Sequence, residues 1–130
     1  MSEPAQPIRI LAVDDHPVLR DGLANIIGSQ PDMVLVAEAE SGKAAVKLFR
    51  EHRPDITLMD LRLTDMNGID AIKAICAEYP DGRIILLTTY LGDVQVLRAL
   101  KAGAMGYLMK ATLRRDLLET IRAVHGGQRR

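Results

Sequence analysis

The chain has 130 residues, 48% of them hydrophobic, and its 17 basic and 17 acidic residues give a formal net charge of zero. This length and composition allow one compact domain with a real core and exclude a disordered chain. The absence of net charge argues against nucleic acid as a direct partner of this segment, because proteins that bind duplexes usually carry a basic surface.

The termini and the single cysteine give information about the compartment. The N-terminal stretch MSEPAQPIR has no apolar segment of the kind found in signal peptides, and no apolar run approaches the roughly 20 residues that span a bilayer. Cys76 cannot form an internal disulfide and lies in a helical pattern, so we interpret it as a small core residue. We therefore expect a soluble, cytoplasmic protein that does not associate with membranes.

Five short apolar runs predict five strands, which alternate along the chain with five helical patterns. Each run is continuous and does not alternate with polar residues, which is typical of parallel strands that are covered on both faces. The strands are predicted at 10–13, 33–37, 56–59, 84–87 and 107–109. Apolar stripes at helical spacing fall at 18–27, 44–49, 69–76, 96–100 and 113–124, with Pro17 in a first turn and Gly28 and Gly103 at helix ends. This rhythm predicts a doubly wound α/β domain with right-handed crossovers.

Polar residues follow four of the five predicted strands. In open α/β sheets, ligand sites form where the strands end, at the point where the strand order reverses. Each residue alone has a plain explanation, such as an acid that favours the start of a helix. Together they predict a single site of three carboxylates, a hydroxyl and an ammonium group at one sheet edge: Asp14, Asp15, Asp60, Thr88 and Lys110.

This combination of residues favours phosphoryl chemistry. Three neighbouring carboxylates repel one another unless a cation lies among them, and oxygen ligands without a cysteine cluster or a histidine pair favour Mg²⁺. A carboxylate beside such an ion can act as a nucleophile and form an aspartyl phosphate. Lys110 would neutralise charge on the transferring group, and Thr88 would bond one of its oxygens. The site is therefore a candidate phosphoryl acceptor.

The segments AVDDHPVLRDGL, DITLMDLRLTDMNGID, IILLTTY and ALKAGAMGYLMKA resemble, in order and spacing, the receiver domain of bacterial two-component response regulators, in particular those of the NarL/LuxR-type transcriptional regulators. The resemblance covers about residues 8–126. It implies a flavodoxin-like (βα)5 fold, with helices on both faces of a five-stranded parallel sheet of order 2-1-3-4-5. The second strand would then lie at the edge and contribute nothing to the site.

The resemblance also implies a role for each acid. Asp60 would accept phosphate from the phosphohistidine of a sensor histidine kinase. Asp15 and Asp60 would hold Mg²⁺ together with the backbone carbonyl of Arg62, and Asp14 would act largely through water.

A switch is implied by the same resemblance. Lys110 would pair with the phosphoryl group, and Thr88 would shift to bond it. Tyr107 would turn inward when Thr88 moves, which would couple the site to the face formed by helix 4, strand 5 and helix 5. Relatives dimerise when phosphorylated, so a homodimer is expected, through either helices 1 and 5 or helices 4 and 5.

Two features of the chain are expected to modify the behaviour of a typical receiver. Lys110 is followed by Ala111 where many receivers have a cis proline, and a cis bond is not expected here because it costs about 3 kcal/mol before a residue other than proline. The loop into helix 5 is then expected to be more mobile. Arg62 and Tyr90 lie two residues after Asp60 and Thr88, where they would shield the acyl phosphate, so we expect slow self-dephosphorylation.

The resemblance implies a domain plan in which residues 1–7 form an N-terminal extension and 8–126 the receiver. Residues 127–130 would begin a linker to a helix-turn-helix domain that the chain does not contain. DNA would be bound through that domain and not by this one. A stand-alone receiver remains an alternative.

Three other interpretations fit the sequence less well. A flavin-binding domain needs a Ser/Thr/Gly-rich phosphate loop after the first strand, where this chain has DDHPVLRDG. A phosphohydrolase that resembles the haloacid dehalogenases needs an acid two residues after the nucleophile, where this chain has Arg62. An interaction domain with a degenerate site is disfavoured by the complete residue set. We assign no catalytic role to His16, which could line the rim of the site, or to His52 and His125.

Overall fold

The computed structural model describes residues 6–89 and 93–127. In these ranges strands and helices alternate in the predicted order: β1 (Ile8–Val13), α1 (Pro17–Gly28), β2 (Met33–Ala39), α2 (Gly42–His52), β3 (Ile56–Asp60), α3 (Gly68–Glu78), β4 (Ile84–Thr88), α4 (Asp93–Ala102), β5 (Gly106–Met109) and α5 (Leu113–His125). A single 3₁₀ turn, Lys110–Thr112, leads from β5 directly into α5.

The five strands form one parallel sheet of order β2-β1-β3-β4-β5, as expected. The chain moves to one side of β1 to build β2 and then to the other side to build β3, β4 and β5. The strand order therefore reverses between β1 and β3, which places a crevice outside the carboxyl ends of these two strands.

Successive side chains of each strand point to opposite faces, so the sheet has two apolar layers. On one face, Ile10 and Leu58 pack with buried residues of α1 and α5 such as Leu23 and Leu117. On the other face, the neighbouring strand residues pack with α2, α3 and α4, in a cluster that includes Leu11, Met59, Phe49, Ile72 and Ala99. Because both faces are covered, β3 and β4 are buried along their full length.

Helix ends follow the sequence signals. Pro17 is the first residue of α1 and Gly28 is its last. Gly103 follows α4 with a φ of +125°, and a Cβ at this position would lie 2.6 Å from Cys76 Sγ. Cys76 is half-buried against the core, in agreement with its interpretation as a small packing residue. None of the described helices is both long enough and apolar enough to span a bilayer.

Two residues of the predicted apolar stripes do not face the core. Val18 is 85% exposed and Leu97 is 56% exposed, so their assignment to the buried faces of α1 and α4 was wrong. At about 100° per residue, Val18 lies about 140° around the helix from Leu23, which docks on the sheet. Leu97 lies about 160° from the buried Ala99, whose small side chain forms the α4 contact instead.

Candidate functional site

The predicted polar residues meet at the carboxyl edge of the sheet. Asp14 and Asp15 follow β1, Asp60 ends β3, Thr88 ends β4, and Lys110 follows β5. A cavity of about 320 Å³ opens above them, and its lining includes Asp60, Thr88 and Lys110. The parallel sheet brings these distant segments to one place, because parallel strands share the direction in which they end.

Lys110 bridges two carboxylates that follow or end different strands. Its Nζ lies 3.0 Å from Asp14 Oδ2 and 3.1 Å from Asp60 Oδ2. Burial alone would lower the pKa of Lys110, but the hydrogen bond to Asp14 and the charges of Asp60 and Asp14 outweigh it and raise the pKa above its ordinary value. The ammonium group is therefore charged at neutral pH and balances one of the two carboxylates.

Asp60 is only 2% exposed, and the balance of effects at its carboxyl group goes the other way. Burial and then the charge of Asp14 raise its pKa, whereas Lys110 and the backbone N–H of Arg62 lower it. The Arg62 N–H donates to Asp60 Oδ1 at 3.3 Å. The net rise therefore comes mainly from burial, to which the neighbouring charge of Asp14 adds.

The acidic cluster can hold a cation. One ligand atom each from Asp14, Asp15, His16 and Asp60 lies within 4.8 Å of the others. Three carboxylates against one ammonium leave an excess of negative charge that a divalent ion would balance, and the carboxylate oxygens suit a hard ion such as Mg²⁺. The donor set of the described residues therefore fits the expected metal.

His16 lines the rim of the site, as the sequence analysis allowed, but its contacts with the two acids were not predicted. Its ring is at the rim, with the side chain 67% exposed, yet Nδ1 lies 2.9 Å from both Asp14 Oδ1 and Asp15 Oδ1. Its backbone N–H also donates to Asp14 Oδ1 at 2.7 Å. The only available sequence signal was its position directly after the two acids.

The segment between β3 and α3 is folded tightly against the site. The Gly68 N–H donates to the Leu61 carbonyl oxygen at 2.7 Å, and Arg62 and Asn67 form an antiparallel bridge. A Cβ on Gly68 would lie 3.0 Å from both the Asp60 carbonyl carbon and Leu61 Cα, and closer still to the Asp60 carbonyl oxygen. This close approach requires glycine, and it holds the backbone of Arg62 beside the Asp60 carboxylate.

The tip of the same segment is attached to a second helix. Asp65 accepts hydrogen bonds from the N–H groups of Gly42 at 2.8 Å and Lys43 at 3.0 Å, at the N-terminus of α2. These bonds, first that of Gly42 and then that of Lys43, lower the pKa of Asp65. The sequence analysis did not identify Asp65 as part of the site's support.

Two of the remaining predicted residues can be placed relative to the cavity. Arg62 is exposed and contributes to its lining, whereas Tyr90 lies outside the described residues. Tyr107 is half-buried on β5 opposite Leu86, and it lines a separate surface cavity of about 350 Å³ against α5. Gln95 of α4 also lines the site cavity, which the helical pattern of α4 did not reveal. The Lys110–Ala111 peptide is not cis, as expected.

Comparisons with known proteins agree on one family. The family model of the response regulator receiver domain matches residues 10–122 of this chain. The transcriptional regulatory protein LiaR of Bacillus subtilis is 41% identical over 121 residues, which cover 93% of this chain and 57% of LiaR. The response regulator protein VraR of Staphylococcus saprophyticus is 37% identical over 122 residues, covering 94% of this chain and 58% of VraR.

A solved structure gives the same result. A two-component response regulator of the LuxR family from Aurantimonas superposes with a TM-score of 0.91 at 38% identity, and the match covers 95% of this chain and 89% of that one. The chain spans less than three fifths of the length of the two curated relatives above.

Proposed function

The chain belongs to the response regulator receiver domain family, and we propose that its Asp60 accepts a phosphoryl group from the phosphohistidine of a sensor histidine kinase. The observation that carries the proposal is the position of Asp60. Its carboxylate ends a buried strand, opens into the cavity, and contacts the Lys110 ammonium at 3.1 Å. A nucleophile and a fixed positive charge thus lie side by side where a phosphoryl group would arrive.

In this proposal Mg²⁺ is held by Asp15, Asp60 and the backbone carbonyl of Arg62, while Asp14 acts largely through water. The clustering of the carboxylate oxygens, and the presence of three carboxylates beside the one ammonium group of Lys110, support this assignment. When bound, the ion would neutralise charge on the oxygens of the transferring group. The tight β3–α3 segment would keep the Arg62 carbonyl beside the acids.

The residues of the chain then position the transfer. One Asp60 oxygen forms the bond to phosphorus as the bond between phosphorus and the histidine nitrogen breaks. Lys110 would move its ion pair from the Asp60 carboxylate to the phosphoryl oxygens, since an ammonium group has three donors. The Thr88 hydroxyl would donate to another of these oxygens from the neighbouring strand end.

The proposed output is a change of surface. Thr88 and Tyr107 lie on the neighbouring strands β4 and β5, which pair in parallel. The movement of Thr88 toward the phosphoryl group would allow Tyr107 to turn inward, and so would change the face made by α4, β5 and α5. Val94 and Leu97 are exposed on α4, so this face has apolar groups that a partner could cover.

We also propose the domain plan: residues 8–126 as the receiver, with 1–7 as an extension and 127–130 as the start of a linker to a helix-turn-helix domain. LiaR is named as a transcriptional regulatory protein, and the match covers only 57% of it. Phosphorylation would promote a homodimer, which would place two DNA-binding domains on adjacent half-sites.

The test is the intact mass of the protein after incubation with acetyl phosphate, with and without Mg²⁺. We expect the wild type to gain one phosphoryl group only when Mg²⁺ is present, and Asp60→Asn to gain none. Asp70→Asn is the matched control, because Asp70 is an exposed acid in the first turn of α3. A wild type that gains nothing, or an Asp60→Asn variant that is still phosphorylated, would contradict the proposal.

A further inference from the structure

The cavity above Asp60 contains a side chain to which the proposed function assigns no role. Gln95 belongs to α4, the helix whose Val94 and Leu97 are exposed to solvent. Gln95 instead lines the cavity together with Asp60, Thr88 and Lys110. One helix thus places an amide inside the phosphoacceptor cavity and apolar groups on the surface.

The carbonyl oxygen of this amide is buried. Within the described part of the chain, Gln95 Oε1 accepts no hydrogen bond. A buried acceptor that gives up its hydrogen bond to water loses free energy, so native structures rarely leave one unpaired without a functional reason. Because Gln95 lines the cavity where an acyl phosphate would form, a turn of its side chain would bring this oxygen into the cavity, where a water molecule can donate a hydrogen bond to it.

We propose that Gln95 Oε1 orients the water molecule that hydrolyses the phosphoryl group on Asp60, an inference that rests on the proposed function. The water donates a hydrogen bond to Oε1 and directs a lone pair at phosphorus, on the side opposite the Asp60 oxygen. The bond from water to phosphorus forms as the bond from phosphorus to Asp60 breaks. Asp60 leaves as a carboxylate with the electron pair, and the water proton passes to the phosphate and the solvent.

The chemistry of the neighbouring side chains favours Gln95 for this role. Lys110 and Arg62 can only donate hydrogen bonds, so they suit phosphoryl oxygens but cannot accept from a water molecule. Asn67 also lines the cavity, but its Oδ1 already accepts from the Ile69 N–H at 2.8 Å and caps α3. Of the two amides in this lining, Gln95 is the one whose oxygen has no partner among the described residues.

The experiment compares two rates in the same protein. The first is the formation of phospho-Asp60 from acetyl phosphate. The second is the loss of phospho-Asp60 after acetyl phosphate and free phosphate have been removed by rapid desalting into a buffer that contains Mg²⁺. Gln95→Met keeps the length of the side chain but removes the acceptor. We expect the lifetime of the phosphorylated form to increase roughly tenfold, the factor that corresponds to about 1.4 kcal/mol of transition-state stabilisation. The rate of formation should not change, because that step uses no water.

Two further variants sharpen the result. Gln95→Asn keeps an amide but withdraws it by one methylene group, and it should also lengthen the lifetime. Gln30→Met is the matched control, because Gln30 lies away from the cavity, where its Oε1 accepts from Arg122 Nη2 at 2.8 Å. Its lifetime should equal that of the wild type.

The outcomes separate this inference from the proposed function. A lifetime of Gln95→Met that is equal to or shorter than that of the wild type overturns the inference alone, as long as the wild type is phosphorylated on Asp60. An equal slowing of formation and hydrolysis also overturns it, because it indicates a general distortion of the site. A wild type that gains no phosphoryl group overturns both.

Discussion

Substitution of Gly68 by alanine provides a sensitive test of how the site is built. The new methyl group would lie 3.0 Å from Leu61 Cα and from the Asp60 carbonyl carbon, and nearer still to the Asp60 carbonyl oxygen. Carbon atoms pack at about 3.5–4.0 Å, so the backbones must separate by roughly 0.5–1 Å. The backbone of Leu61 is held by a hydrogen bond from its N–H to the Leu87 carbonyl oxygen at 2.9 Å, so β3 cannot yield freely.

The expected cost follows from this constraint. Overpacking of this kind costs about 1–3 kcal/mol of unfolding free energy, of which only a part is offset by the better helix propensity of alanine. Since the displaced atoms belong to Asp60 and Leu61, the rate of Mg²⁺-dependent phosphorylation should also fall, by roughly 10–100-fold. Urea unfolding measures the first effect, and the rate of mass gain with acetyl phosphate measures the second.

The control is the same substitution in another helix. Gly22 lies inside α1, and a Cβ built there meets no atom within 4 Å. Gly22→Ala should therefore stabilise the protein by about 0.5–1 kcal/mol and leave phosphorylation unchanged. If the unfolding free energy of Gly68→Ala lies within about 0.5 kcal/mol of the wild-type value, α3 does not approach the end of β3 as closely as the structure indicates.

Two further predictions concern charge. Without Mg²⁺, Asp60→Asn should raise the unfolding free energy at neutral pH: burial and Asp14 raise the pKa of Asp60 in the folded state, so its ionised form is disfavoured there. The folded state then binds a proton more readily than the unfolded state, so the advantage of asparagine should disappear as the pH falls and Asp60 protonates. Urea unfolding curves of the wild type and the variant at neutral and acidic pH check this. A difference in unfolding free energy that does not change with pH would refute it. Asp65→Ala should lower the unfolding free energy and speed amide hydrogen exchange at Gly42 and Lys43, because their N–H groups lose their acceptor. Unchanged exchange at these two residues would show that the contact with Asp65 is not formed in solution.

Much of the fold could be predicted from local patterns. The continuous apolar runs indicated buried parallel strands because both faces of such a sheet are covered, and the observed strands include every predicted one. The strand order itself came from the resemblance, since the rhythm of β and α elements does not determine which strands are neighbours. The clustering of Asp14, Asp60 and Lys110 followed from the shared direction of parallel strands.

Other features could not be predicted because they depend on how elements dock. The stripe of α4 suggested that Leu97 is buried, but the helix contacts the core through Ala99, so Leu97 faces solvent and Gln95 lines the cavity. Helical spacing places residues around a helix, but it does not decide which side packs on the sheet when the apolar stripe is weak.

The sequence by itself thus determined which elements form and which chemical groups collect at the carboxyl edge of the sheet, because both follow from local periodicity and from the direction of parallel strands. The tertiary structure alone decided the contacts between segments that are distant in the chain. The bonds from α2 to Asp65 and the pairing of Lys110 with two acids from different strands are of this kind. Such contacts depend on the distances between elements after packing, and these distances are set by the volumes of all the side chains in the core together.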